Sequence, residues 1–367
     1  MKRVLFVATL LAVVAGTCGG VARASDDPPR AAQAAIGWLA PRQMADGSFP
    51  GFDAGASADA IFAIASVGSD PNGVLKDGHS PVSFLGTQAT SYASKSVAAA
   101  SKLALAVITA NKNPLDFGGQ NLIASIVNGY DTKTGRYGAT TTDHAFALLA
   151  LASAGQPIPQ AAIAALNGAQ LPDGGWSFDG KTETGSDTNT TALAVQAFVA
   201  ANPQGDLAPI ARLATAKAIT YLHSQQNADG GFPYAKSAQY GADTDANSTA
   251  AVIQALVAAN EDPRGWRQSG GDPIDALLAL QNPSGAFRYQ AALPDDNDLA
   301  TAQAVPALML KPFPLKKVAL PAVQPESAPP PAPKALPKTG GAPELAWLLI
   351  AALALIATGL ALRSRRT

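Results

Sequence analysis

Polar and apolar residues along this chain fall into two alternating kinds of stretch. Segments such as Ala218-Ile219-Thr220-Tyr221-Leu222 and Ile274-Asp275-Ala276-Leu277-Leu278 carry apolar residues on one helical face, which predicts half-buried outer helices. Each is followed, after a loop, by a helix that is apolar on every side. Three of these align: Thr191-Ala192-Leu193-Ala194-Val195-Gln196-Ala197-Phe198, Thr249-Ala250-Ala251-Val252-Ile253-Gln254-Ala255-Leu256 and Thr301-Ala302-Gln303-Ala304-Val305-Pro306-Ala307-Leu308. Apolar character all round predicts burial, and the abundance of alanine suits helices that approach closely. Asp, Asn, Ser and Thr cluster before each, as N-caps should. Less regular helices are predicted near 31–42, 57–67, 81–93, 95–110, 119–128, 141–153 and 158–169. The pattern as a whole predicts twelve helices, or six hairpins, and six hairpins in a row can close into a ring with one helix of each inside and one outside.

A repeated motif sits on that pattern. Gln43-Met44-Ala45-Asp46-Gly47-Ser48-Phe49 returns as Gln170-Leu171-Pro172-Asp173-Gly174-Gly175-Trp176, as Gln226-Asn227-Ala228-Asp229-Gly230-Gly231-Phe232 and as Gln281-Asn282-Pro283-Ser284-Gly285-Ala286-Phe287. Gly174 and Gly230 lie 56 positions apart, and Gly230 and Gly285 lie 55 apart, the period of a helical-hairpin array. These copies resemble the QW-type repeats of the squalene-cyclase and prenyltransferase superfamily, over about residues 31–310. The resemblance implies an all-α fold, an (α/α)6 toroid. It also implies that Gln43, Gln170, Gln226 and Gln281 brace helix ends while Phe49, Trp176, Phe232 and Phe287 stack beneath their neighbours. In single-ring size the chain is similar to the helical domain of the cobalamin carriers (the transcobalamin and intrinsic-factor group), which implies a corrinoid ligand. Those carriers close over the corrinoid with a second β-rich domain and carry disulfides. Residues 311–335 are too short and too proline-rich for such a domain, and Cys18 is the only cysteine.

The two ends read as addresses. Met1-Lys2-Arg3, an apolar run from Val4 to Ala15 and then Ala22-Arg23-Ala24 follow the order of a secretory signal peptide, with signal-peptidase cleavage between Ala24 and Ser25. A lipid anchor on Cys18 is the rival reading. The segment 25–310 is expected to form the toroid and 311–335 an extended proline-rich linker. Leu336-Pro337-Lys338-Thr339-Gly340, the apolar stretch 345–362 and the basic tail 363–367 resemble the LPxTG sorting signal of Gram-positive surface proteins. In such proteins a sortase cuts between Thr and Gly and links the Thr to the cell wall. The apolar stretch makes about 27 Å of helix, enough for one transmembrane helix, and the arginines after it would remain cytoplasmic. The expected location is therefore the cell surface, with anchoring to the wall or, failing a sortase, to the membrane.

Composition narrows the chemistry. Hydrophobic residues make up 47% and charged residues 14% of the chain. Residues 25–339 hold 20 basic and 26 acidic residues, a net of −6, which argues against a nucleic-acid partner. The acid of triterpene cyclases sits in a DxDD motif. The nearest stretch here, Asp243-Thr244-Asp245-Ala246-Asn247, has Ala where the last Asp should be. The zinc of protein prenyltransferases needs a cysteine, which the mature chain lacks, and three scattered histidines (His79, His144, His223) do not predict a metal site. Polar residues at the starts of the inner helices would gather at one mouth of the ring: Asp59, Asp143, His144, Asp187, Asn189, Asp245, Asn247 and Asp298. Plain helix capping is the alternative role for them. The sequence therefore reads as a secreted, surface-anchored toroid that binds a small molecule, glycan or protein, and no residue is assigned a catalytic role. One alternative is an extracellular enzyme, terpene-cyclase-like or glycan-degrading, using the Asp residues at the mouth; another is a structural adhesion module.

Replacing Thr339 with Ala is expected to move the protein out of the wall-bound fraction. Immunoblots of wall, membrane and medium fractions check this, and unchanged wall linkage would remove sortase from the account.

Overall fold

The computed structural model describes residues 27–237 and 241–325. The signal segment with Ala24 and Ser25, the motif Leu336–Gly340, the apolar span 345–362 and the tail lie outside the described residues. Among the described residues no helix is long and apolar enough to cross a membrane.

Twelve α-helices are present among these residues. In chain order they are α1 (Pro28–Leu39), α2 (Ala54–Ser66), α3 (Pro81–Ala93), α4 (Val97–Thr109), α5 (Leu122–Asn128), α6 (Thr141–Ser153), α7 (Gln160–Gly168), α8 (Thr188–Ala201), α9 (Leu207–Gln225), α10 (Ala246–Ala258), α11 (Pro273–Leu278) and α12 (Asp298–Leu308). A two-residue antiparallel pair, Tyr130–Asp131 with Arg136–Tyr137, is the only strand ladder among them. The even-numbered helices form an inner ring in which each touches the next and α12 returns to α2. The odd-numbered helices lie outside. This is the α/α toroid, and its inner helices begin on capping side chains: Asp53, Ser96, Thr140, Asp187, Asp245 and Asn297 each accept a backbone N–H of the first turn.

The repeated glutamines join one unit to the next. Gln170 Nε2 donates to Gly174 O (2.8 Å) and to Ala214 O (2.8 Å) on α9. Gln226 donates to Gly230 O (2.9 Å) and Trp266 O (2.7 Å). Gln43 donates to Gly47 O (3.1 Å), Val74 O (3.2 Å) and His79 O (3.2 Å). Gln281 donates to Gly285 O (2.9 Å) and, across the seam, to Ala31 O (2.8 Å) on α1. The last repeat thus grips the first helix. The repeat aromatics are buried, and their backbone N–H groups donate to hydroxyls on the inner helices: Phe49 to Ser57, Trp176 to Thr191, Phe232 to Thr249 and Phe287 to Thr301.

Residues 311–325 do not leave the domain as a stalk. They cross the C-terminal ends of the inner helices as a strap. Val318 and Leu320 donate their N–H groups to Ser153 O (2.7 Å) and Ala154 O (3.1 Å), carbonyls that a helix end leaves without an internal partner. Gln196 Oε1 accepts from Phe313 N, Gln254 Nε2 donates to Lys311 O and Gln156 Oε1 accepts from Val323 N, each at 2.8 Å. The prolines here alternate with Phe313, Leu315, Val318, Leu320 and Val323, which pack against the core. That apolar content, unlike the prolines around it, is what a free linker lacks.

Gly285 has φ +93°, and a Cβ there would stand 2.7 Å from Ala34 O on α1. Gly285→Ala should therefore lower stability by about 1–3 kcal/mol. Gly37→Ala, in a helix with nothing near the added carbon, should be neutral or gain up to about 1 kcal/mol. Urea denaturation of both variants checks the contrast.

Candidate functional site

Reading the inner helices in register locates a cavity on the ring axis. The sixth residues of α2, α4, α6, α8, α10 and α12 are Asp59, Lys102, Phe146, Leu193, Ala251 and Gln303, and all six line a cavity of about 320 Å³. One turn nearer the mouth, the second residues Thr142, Asn189 and Asn247 line it, together with Asp187, Phe178 and Tyr234. One turn deeper stand Phe62, Gln196, Gln254 and Pro306. Phe313 of the strap forms the floor, its ring edge-on to Phe62 with centroids 4.8 Å apart. At the level of the sixth residues the wall is thus apolar on the α6, α8 and α10 side and polar on the α2, α4 and α12 side.

The eight mouth candidates divide. Asp59, Asp187, Asn189 and Asn247 face the cavity. Asp59 Oδ2 accepts from Lys102 Nζ at 2.7 Å, so this carboxylate is neutralised by its neighbour on the next helix. Asn247 Nδ2 donates to Gln303 Oε1 at 2.6 Å. Asp187 caps α8, with Oδ1 accepting from Thr190 N at 2.7 Å. Burial raises its pKa, against the opposing pull of the Thr190 N–H. The Tyr234 hydroxyl, pushed up to about 12 by burial and by Asp187, stands beside it. It does not reach hydrogen-bond geometry at Oδ2, which has no donor.

The other four lie elsewhere. Asp143 is a clasp inside the wall, accepting from Ala98 N (2.9 Å), Thr140 N (3.1 Å) and Thr140 Oγ1 (2.8 Å). Burial acts to raise its pKa, and these donors outweigh it and hold the group below the usual carboxylate range. His144 is buried, with Nδ1 accepting from Tyr137 N (3.0 Å) and Nε2 donating to Ala162 O (2.9 Å). Burial pushes it down to about 4, so it is a neutral structural imidazole. Asp298 pairs with Arg42 (2.5 and 2.8 Å), whose guanidinium lies over Trp38. Asp245 caps α10, is 1% exposed, and accepts from Ser248 N at Oδ1 (2.7 Å) and from Ser248 Oγ at Oδ2 (2.8 Å). Burial raises it to about 6.

The sequence reading did not single out Lys102, Gln196, Gln254, Gln303 or the aromatics Phe62, Phe146 and Phe313. One signal was available: a lone lysine or glutamine at a fixed place in helices that are otherwise apolar all round. The corrinoid implied by the carrier resemblance does not fit these residues. A corrinoid exceeds the cavity volume several-fold, and none of the three histidines lines the cavity. Among the described residues no cluster of three His, Asp or Glu side chains is placed to share a metal ion.

No family model and no curated protein matches this chain. Solved structures do. The type II terpene cyclase MstE from Scytonema superposes with a TM-score of 0.55 at 13% identity, over 77% of this chain and 97% of its own. Haptocorrin in complex with Cbi gives 0.56 at 14% identity, over 81% of this chain and 71% of its own. The unsaturated glucuronyl hydrolase of Bacillus sp. GL1 gives 0.50 at 12% identity, over 77% and 96%. At these identities the shared property is the α/α toroid, on which enzymes and a ligand carrier have both been built.

The buried acid Asp245 gives a pH test of the rim. The folded state holds its proton to a higher pH than the unfolded chain does. Its contribution to stability is therefore full below the ordinary value of 3.8 and is lost as the pH rises through about 6. Asn caps a helix as well as Asp. From about pH 4 to about pH 7, Asp245→Asn should gain on the native protein by up to about 3 kcal/mol, read from urea midpoints.

Proposed function

We propose that this protein is a cell-surface receptor for a small molecule, which it takes into the axial cavity without chemical turnover. The observation that carries the reading is the cavity itself: an axial space of about 320 Å³ with a phenylalanine floor, an aromatic and aliphatic side, and amides at fixed positions. Such a volume is at the low end of ligand pockets. Large glycans and intact proteins do not enter it. Paired carboxylates for glycoside hydrolysis find little support, because among the described residues Asp59 and Asp187 are the only carboxylates in the lining and Asp59 is tied to Lys102. The order of leader, LPxTG-type motif, apolar span and basic tail supports surface display, with signal peptidase and sortase as processing partners.

One observation favours a second reading, an enzyme acting on an apolar substrate. Asp187 has its pKa raised by burial and a free carboxyl oxygen, as a proton donor would.

A thermal-shift screen of the protein against small amphipathic molecules tests the binding reading, since saturation at about 100 times Kd adds about 2.7 kcal/mol. Leu193→Trp, which fills the cavity from α8, should abolish the shift while the unliganded protein stays folded. A shift that survives this substitution places the ligand elsewhere. Product formation that disappears in Asp187→Asn would favour the enzyme.

A further inference from the structure

Asp187 and Asp245 occupy the same place in consecutive repeats, each capping an inner helix. Asp245 is complete, because the Ser248 hydroxyl takes its second oxygen. Asp187 is not. At 2% exposure it is as buried as a core residue, yet among the described residues no donor meets its Oδ2. Two residues on, Asn189 Oδ1 is also buried without a donor. Both side chains line the cavity. Two neighbouring buried acceptors left unmet are costly, and natural structures keep few of them without cause.

Charge sharpens the point. Among the described residues, the charged members of the lining are Asp59, Lys102 and Asp187. The Asp59–Lys102 pair at 2.7 Å leaves Asp187 as the carboxylate with no cation. Phe178 and Tyr234, 50% and 39% exposed, line the same cavity, and aromatic rings are groups that attract a cation. Because Tyr234 is itself exposed, it can turn aside to admit a group to Oδ2.

Resting on the reading of the cavity as a small-molecule site, we infer that its ligand is an amphipathic organic cation. Its ammonium N–H groups meet Asp187 Oδ2 and Asn189 Oδ1, and its apolar body lies along Phe146, Leu193 and Phe62. A charge-assisted hydrogen bond in a water-poor cavity is stronger than a neutral one. An alcohol of the same shape supplies a donor and no charge, and a carboxylate of the same shape is repelled.

The test is a matched series. Octylamine, octanol and octanoate are titrated into the full-length protein by calorimetry near neutral pH. Octylammonium should bind at least about tenfold more tightly than octanol, with octanoate weakest. Asp187→Asn keeps the helix cap and removes the charge, and should bring octylammonium to within about threefold of octanol. Equal binding of amine and alcohol by the native protein, or an unchanged preference in Asp187→Asn, overturns the cation assignment and leaves the cavity as a neutral binding site. The native series alone decides the assignment if the variant does not fold. Failure of all three probes to bind overturns the assignment together with the cavity reading.

Discussion

The hydrogen bonds of four glutamine side chains set the geometry of this ring. A primary amide has two N–H donors, and in Gln170, Gln226 and Gln281 one goes to the glycine of the same motif and the other to a carbonyl of the adjoining unit. Each brace therefore fixes both the turn that ends an outer helix and its angle to the neighbour. Four of the ring's six junctions carry such a brace, and the Gln281 contact with Ala31 closes the seam. Removing a brace leaves buried carbonyls unpaired, at about 1–3 kcal/mol each, and loosens an angle on which every later unit depends.

Closure accounts for the composition of the inner helices. Their outward faces meet the outer layer and their flanks meet each other. Polar residues there, such as Ser57, Thr191, Thr249, Thr301, Asp143 and His144, are hydrogen-bonded to backbone, and the narrow inward face carries the polar residues that meet the cavity. On that face lie Asp59, Lys102, Asn189, Asn247 and Gln303. Deeper glutamines serve the strap: Gln196 and Gln254 bind the backbone of Phe313 and Lys311. The strap in turn meets carbonyls at the end of α6. One end of the ring is thus satisfied by the chain's own backbone, and unmet polar atoms collect toward the other.

The fold was legible because its signals are periodic. A motif whose last three copies recur every 55 or 56 residues and an alternation of amphipathic and wholly apolar stretches define the hairpins without any long-range information. The site was half legible. Sequence places a polar residue near a helix start, but each position there projects in a different direction. The N-cap Asp187 and the second-position residues Asn189 and Asn247 point inward, whereas Asp143 and His144, one and two positions further along, turn into the wall between helices. Asp298, at the first position of α12, turns to Arg42. The strap is hidden in the sequence because its prolines suggest a free linker, and only the packing of Phe313, Leu315, Val318, Leu320 and Val323 against the core holds residues 311–325 on the domain.

The Asp59–Lys102 pair bears on whether the centre of the ring is filler or site. A buried ion pair is commonly no more stable than a pair of well-packed apolar residues, because two ions lose their hydration to form it. Helices this rich in alanine and leucine could have carried apolar residues at both positions, as α8 and α10 do with Leu193 and Ala251 at the equivalent place. A ring evolved only for rigidity gains nothing from polar groups on its axis, and still less from Asp187 Oδ2 and Asn189 Oδ1, which meet no hydrogen-bond donor among the described residues. Other buried polar atoms also lack a partner, among them Ser101 Oγ and nitrogens of Arg136 and Arg288, but they lie outside the lining. Asp187 Oδ2 and Asn189 Oδ1 are instead two acceptors on one cavity wall, and it is that convergence on which the proposed binding role rests.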